Sequence, residues 1–497
     1  MTLFVVLMVA AAGVVAAWVV RDRRRVGHVV GLIALAGTVL AVAVIQPGDA
    51  IEATGITFVS TPFARMMIML VAVAGLLLSG IAAVAGDERS PAVAWLATVA
   101  AGLICLTTAN PVPGSWAILA AAAIGLALPI SGIAGRNVAA VLLTALTALA
   151  IGAIVVVVAM AGGTAQLALP EPDPGLVGLA FVGVAAAVAV RGAVVPFHRW
   201  APPIADVSSG PIVAALLGAL PALAAILALS WLDQEVTPLL LPLGVAQAIV
   251  LVAALVAMIL SAFAAWIQDD LGHVTVYLLG HGTAVALLGI AAVDPDAWAP
   301  TRTWALASVG AAAALLGWLT VMEGRYRSRR LPDLRGWVRR SPLLAFVLAI
   351  AALAMIGIPG MAVMEARMAL VGLAENPLAS LVGTIGLAAP LLAIGRILVV
   401  GIDIPSAAVR TAPEERPHRP PGRLGPDLIR ATAAVNRAPI ASVLALTMAL
   451  GAALVSTGAF DLVVAAAGDP PVEPQGLGGS TSDQLESGWA PGEVGDP

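Results

Sequence analysis

The stretch RGAVVPFHRWAPPIADVSSGP, Arg191 to Pro211, places two arginines, a histidine, a tryptophan and four prolines at the end of a long apolar run. Proline lacks the N–H that a helix needs and clashes with the preceding turn, so a helix running into Pro196 must stop or kink. Arg191 stands about one and a half turns before Pro196, still among apolar residues. Backbone groups freed by a break at membrane depth have to be satisfied by protein or water, and interrupted helices mark polar cavities in transporters. A guanidinium there is costly in lipid and is expected to face the interior of a helix bundle.

The rest of the chain fits that reading. Of 497 residues, 60% are hydrophobic and 11% charged, and the mean hydropathy is +1.01. A soluble domain carries about 25% charged residues. The apolar residues come in continuous blocks of about 20, the length that crosses a bilayer, and not in the alternating pattern of a barrel strand. Fourteen blocks are expected to span, near 2–20, 27–46, 62–86, 91–110, 114–133, 137–162, 175–197, 211–232, 238–266, 274–293, 303–322, 342–372, 378–403 and 439–466. The first has no small-residue cleavage site before its basic flank and reads as a retained helix. The expected fold is an all-α polytopic membrane protein with about 14 transmembrane helices.

The lone cysteine, Cys105, lies in an apolar run and reads as a small core residue; one cysteine makes neither a disulfide framework nor a cysteine-ligated cluster. All 25 basic residues are arginine, which stays protonated where a buried lysine can titrate. The arginines crowd the loops after blocks 1, 11 and 13, in RDRRR, in EGRYRSRRLPDLRGWVRR, and at Arg410, Arg416, Arg419, Arg423, Arg430 and Arg437. Loops of opposite parity, such as IQPGDAIEATG and TAQLALPEPDPG, are nearly free of arginine, with Arg302 the exception. The positive-inside rule then places both termini outside. Residues 467–497 hold acids, prolines and glycines and no base, and read as a disordered external tail. The loop before block 14 is expected to form a short helix near Leu428–Asn436. There is no phosphate-cradling glycine motif after a strand, so no cofactor is expected in this chain, and nothing suggests nucleic acid.

The opening stretch, continued to RGAVVPFHRWAPPIADVSSGPIVAAL, resembles the broken seventh helix of antiporter-like subunits, with the pattern K-x-A-x-x-P-F-H-x-W-L-P-x-A followed by P-x-P-V-S-A-x-L. These are the large membrane subunits of respiratory complex I (NADH-quinone oxidoreductase), of membrane hydrogenases and of multisubunit cation/proton antiporters. The match rests on Ala193, Pro196, Phe197, His198, Trp200, Pro202, Pro211, Ala214 and Leu216. Two further segments agree in order. DDLGHVTVYLLGHGTAVALLGI keeps Asp270, Leu271, Tyr277 and His281, the histidine one position off a gapless alignment. DLRGWVRRSPLLAFVLAIAALAMIGIPGMAVMEARM keeps Asp333, Leu334, Gly336, Gly357, Ile358 and Pro359.

The resemblance implies two inverted five-helix repeats, about 91–232 and 238–403, inside a transmembrane domain of residues 1–466. Helices 7 and 12 would be broken, the second at Gly357–Gly360. It also implies partners, namely other membrane subunits of a multisubunit complex in a bacterial-type inner (plasma) membrane, with protons or monovalent cations as the species moved. In the family, a glutamate in helix 5 pairs with a lysine in helix 7, and further lysines or histidines continue the line. This chain departs at each step. Ala117 follows Trp116 where the glutamate belongs, Arg191 stands at the helix 7 lysine and Arg367 at the helix 12 lysine.

The ion-pathway candidates are therefore Arg191, His198, Asp206, His281, Glu365 and Arg367, with Asp269, Asp270 and His273 at a helix start. Each has a structural alternative. The arginines either neutralise groups at the breaks or take part in transfer; His281 is a satisfied core histidine or a relay member; His198 and Trp200 fix the loop after the break; Asp206 caps the next helix. Glu365 and Arg367, two residues apart, point to different sides of a regular helix. Function narrows to a membrane subunit of a proton- or cation-translocating complex. The alternatives are a non-pumping scaffold, the membrane partner in an inorganic-carbon uptake complex, or an unrelated secondary transporter. Any electron transfer would take place in a partner.

Overall fold

A computed structural model describes residues 2–21, 23–53, 56–87, 90–108, 111–128, 136–239, 241, 243–374, 376–403 and 425–459. The first elements are helices α1 (Thr2–Val19) and α2 (Arg24–Val44), a hairpin of β1 (Ala50–Ala53) and β2 (Ile56–Val59), then α3 (Pro62–Ala85), α4 (Ala92–Thr107), α5 (Pro111–Ala127), α6 (Arg136–Leu167) and α7 (Pro174–Arg191). A 3₁₀ turn and α8 (Ala201–Val207) follow. The next span is composite: α9 (Gly210–Ala214), a π-helical turn and α10 (Leu220–Trp231). Then come α11 (Gly244–Ile267), α12 (Leu271–Ala292), α13 (Trp298–Tyr326), a short α14 (Trp337–Arg340), α15 (Pro342–Ile356), α16 (Ala362–Gly372), α17 (Pro377–Ala388), α18 (Pro390–Ile402) and α19 (Gly425–Ser456).

Each of the fourteen expected blocks contains helix among the described residues. Among the described residues, eleven helices are long and apolar enough to cross a membrane, and α4, residues 112–127 and α15 are shorter apolar helices. The chain is a multi-pass membrane protein. Helix starts follow ordinary capping chemistry: Pro62, Pro174 and Pro377 open helices behind Thr61, Asp173 and Asn376, whose side chains accept from the first free amides. Both expected breaks are present. α7 ends at Arg191 and helix resumes only at Phe197; α15 ends at Ile356 and α16 starts at Ala362.

Three spans form the interior. The apolar windows of Gly210–Val236, Leu271–Ala292 and Pro295–Tyr326 are each 94% buried, against 28% for Thr2–Val19 at the periphery. The remaining helices wrap these, with α19 packed on α13, α15 and α3.

Several expectations need correction. Arg302 is not a loop residue: it lies inside α13, buried, with its guanidinium 4.7 Å from the centre of the Phe63 ring. No separate short helix forms near Leu428–Asn436, because α19 runs unbroken from Gly425 through Pro439 to Ser456. Residues 404–424, with Arg410, Arg416, Arg419 and Arg423, and the tail 467–497 lie outside the described residues. Cys105 is buried as expected and donates to the Gly114 carbonyl at 3.3 Å.

Candidate functional site

The first break starts where α7 runs out of helix-compatible sequence. Arg191 is its last residue, and Ala193 takes a left-handed conformation (φ 52°), which ends the helical ladder. Trp200 Nε1 donates to the Val190 carbonyl at 3.1 Å and ties the chain after the break back to the end of α7. The His198 ring stacks obliquely on Tyr277 of α12, ring centres 5.4 Å apart. These contacts tie the segment after the break to α7 and α12.

The Arg191 side chain is buried. Its Nη2 donates to the Ile118 carbonyl of α5 at 3.3 Å, one residue beyond Ala117, while its Nε is buried with no hydrogen bond. The guanidinium borders a cavity of about 40 Å³ between α5, α6 and α7, lined by Ser115, Gly152, Val156 and Leu227 among others. A water needs about 10–15 Å³ of such space, so a few waters fit. No carboxylate lines this cavity, and no Asp or Glu is buried among the described residues.

The second break shows what a buried arginine does at a helix end. The last carbonyls of a helix have no partner of their own. Arg367 Nη1 donates to the Ile356 carbonyl at 2.5 Å and to that of Met355 at 3.4 Å, at the end of α15. Its Nη2 donates to the Leu387 carbonyl at 2.9 Å, near the end of α17. Leu387 lies in the last turn of α17, just before a one-residue proline kink within the Pro377–Ile402 span, where Pro390 supplies no N–H to the Gly386 carbonyl. The run LAAPLL marks this kink within the expected block 378–403.

His281, buried in α12, uses the same kink. Its Nε2 lies 2.9 Å from the Gly386 carbonyl, four residues before Pro390. A carbonyl only accepts, so Nε2 carries the proton and Nδ1 of the neutral ring is left as an acceptor. His281 and Arg367 border one small cavity, with Thr283, Ser308 and Met355. α12 also touches the first break. A methyl group on Gly192 would stand 2.3 Å from Thr283 Cγ2, and one on Gly280 would stand 3.0 Å from the Ala193 carbonyl oxygen. The central helix therefore packs against the break after Arg191 at Gly280 and Thr283, and His281, between them, reaches the Pro390 kink.

The other candidates lie apart. Asp206 does not cap α9; its carboxylate meets His273 Nε2 at 3.0 Å. Asp270 caps α12 by accepting from the Gly272 and His273 amides. Asp206 and Asp270 border an open cleft of about 610 Å³ with Glu323, Arg327, Arg329 and Arg330. The arginine-rich segment is thus built into the fold as well as charged: Arg329 pairs with Glu323 and donates to the Ala205 carbonyl. Arg396 reaches the Trp266 and Gln268 carbonyls and Asp269. Glu365 does not join the interior. It is exposed on the outer side of α16 while Arg367 is buried. The structure brings together His281 and Arg367, joins both to the Arg191 break through α12, and leaves Glu365 outside.

These features define a class: a polytopic helix bundle with buried polar side chains, Arg191, His281 and Arg367, gathered at broken or kinked helices. The chain belongs to the family described as NADH:quinone oxidoreductase/Mrp antiporter, TM, which matches residues 136–385. It is similar to NADH-quinone oxidoreductase subunit N of Methylobacterium nodulans, 32% identical over 202 residues, 39% of this chain and 40% of that one. It is also similar to the subunit N of Laribacter hongkongensis, 27% identical over 205 residues, 40% and 41% of the two chains. The aligned stretch thus spans only about 40% of the length of these relatives. In fold the chain is similar to a chain of the Mrp complex from Dietzia sp. DQ12-45-1b, with a TM-score of 0.63 and 19% identity, over 93% of this chain and 98% of that one. The corresponding values for the archaeal membrane-bound sulfane sulfur reductase are 0.68 and 14%, over 93% and 99%. All are chains of multisubunit membrane complexes.

Proposed function

We propose that this chain is a membrane subunit of a proton-translocating complex of the NADH-quinone oxidoreductase or cation/proton antiporter type. One observation carries the reading: the buried polar side chains Arg191, His281 and Arg367 lie at broken or kinked helices that the central α12 links into one interior line. Arginine does not release its proton at accessible cost, so Arg191 and Arg367 act as fixed charges. His281, with Nδ1 free to accept, is the interior group that exchanges a proton with water. A resident sodium or potassium ion on this line is disfavoured by the buried guanidiniums of Arg191 and Arg367 and by the lack of a buried carboxylate among the described residues. On the arginine-rich side, His198, Asp206 and His273 form the mouth.

In this reading residues 1–466 form the transmembrane domain, 91–232 and 238–403 are two inverted repeats, each with one broken helix, and 467–497 extend outside with the chain start. The membrane is a bacterial inner membrane, and the partners are further membrane subunits that hold any redox centre.

A second reading, a non-pumping scaffold, is favoured by a specific observation. Arg367 donates to three backbone carbonyls at a break and a kink, which is a structural duty. Reconstitution of the intact complex in proteoliposomes separates the two. Loss of proton flux in both Arg191→Ala and His281→Gln supports translocation, and unchanged flux in both supports the scaffold.

A further inference from the structure

The second helix break lies on the outside of this chain. Ile358, Pro359 and Gly360 are exposed, and a methyl group placed on Gly360 would meet nothing within 4 Å. The amides of Ile358 and Gly360 and the carbonyls of Pro359 and Gly360 make no hydrogen bond among the described residues. Beyond the break, Glu365 is exposed in the first turn of α16, and its carboxylate makes neither a hydrogen bond nor an ion pair among the described residues. Met368 continues the exposed face.

Depth makes this unusual. α15 has 15 residues before the break and α16 has 11 after it. At about 1.5 Å per residue the break is about 22 Å from one end of the span and 16 Å from the other. It therefore falls near the middle of a hydrocarbon layer about 30 Å thick. Glu365 is seven residues from the end of α16 at Gly372, about 10 Å, which exceeds the reach of a glutamate side chain. Non-helical backbone at that depth is tolerated only against protein or water, and an ionised carboxylate there needs a partner.

We infer that the face formed by Ile358–Gly360, Glu365 and Met368 is the seat of a transmembrane helix from another subunit, which presents a lysine or arginine to Glu365 and polar groups to the break. Charge complementarity selects the occupant. A second copy of this chain, apposed symmetrically, would set Glu365 against Glu365. A lipid tail offers no donor. The inference rests on the reading of this chain as one subunit of an assembly.

The test places a photo-crosslinking amino acid at Ile358 and, separately, at Met368, in cells that make the whole complex, with irradiation in the native membrane. The expected result is an adduct with a different polypeptide, mapped to a transmembrane segment that carries a lysine or arginine. Glu365→Lys is then expected to lower the share of this chain in the large assembly at least tenfold, and the opposite exchange at the mapped basic residue to restore it. Adducts only with lipid, with the same chain or with a second copy overturn the inference, as does Glu365→Lys assembling at the parent yield. If instead the chain migrates alone after mild solubilisation, the assembly reading fails, and the crosslinks formed beforehand in the membrane still decide the inference.

Discussion

Gly192 lies bare against Thr283: a methyl group at its Cα would stand 2.3 Å from Thr283 Cγ2 and 2.5 Å from its Cβ. This contact joins the end of α7 to the central helix and sets the height of Arg191 relative to His281. Gly192→Ala is expected to force the two apart and to cost about 1–3 kcal/mol, the usual range for overpacking a close-packed site. Thr283→Ala should not rescue it, because the clash with Cβ remains. Denaturant unfolding of the purified chain checks both; a neutral Gly192→Ala would mean that the two helices separate freely.

Arg367 holds carbonyls of α15 and α17 with one guanidinium. Arg367→Met keeps the volume and removes every donor, leaving the Ile356 and Leu387 carbonyls buried without their partner. About 2–4 kcal/mol of stability should be lost, since each buried group left unsatisfied costs about 1–3 kcal/mol. Arg367→Lys keeps the charge but not the planar fork and should recover only part of the loss. The same unfolding measurement decides; equal stability of parent and Arg367→Met would remove the structural role.

How much of this could be read from the residues depends on what kind of signal each feature leaves. Pro196 and the glycines around Pro359 announce breaks locally, so both were legible. The two-residue offset between Glu365 and Arg367 already put them on different sides, and one is exposed while the other is buried. The Arg302 error shows the limit of charge counting, since an arginine near a helix end can turn inward to an aromatic ring as readily as outward to water. What the residues could not show is adjacency. The Gly386 carbonyl meets His281 across 105 positions, and Arg191 meets Ile118 across 73. Contacts of that length follow from how helices pack, which no local pattern encodes.

His281 separates the two duties of a buried histidine. His281→Gln keeps an N–H donor for the Gly386 carbonyl but cannot take up a proton, whereas His281→Phe keeps neither. If His281 relays protons, both should lower flux by at least about tenfold, and only the phenylalanine variant should lose about 1–2 kcal/mol of stability. If its duty is structural, the glutamine variant retains both flux and stability. Proton flux in proteoliposomes and unfolding of the same preparations give the two readouts.

Arg191→Lys tests whether the fixed charge at the first break matters. The parent guanidinium stays charged across the accessible range, so its contribution to flux should not vary with pH. A lysine at the same end of α7 is able to lose its proton, and its shorter head should also leave the Ile118 carbonyl. At low pH the variant carries the same charge as the parent and should transport alike, apart from that lost bond. As pH rises the variant loses its charge while the parent does not, so the two flux curves should diverge on the alkaline side only. Parallel curves across the whole range, with His281 intact, would show that the interior line does not sense the charge at position 191.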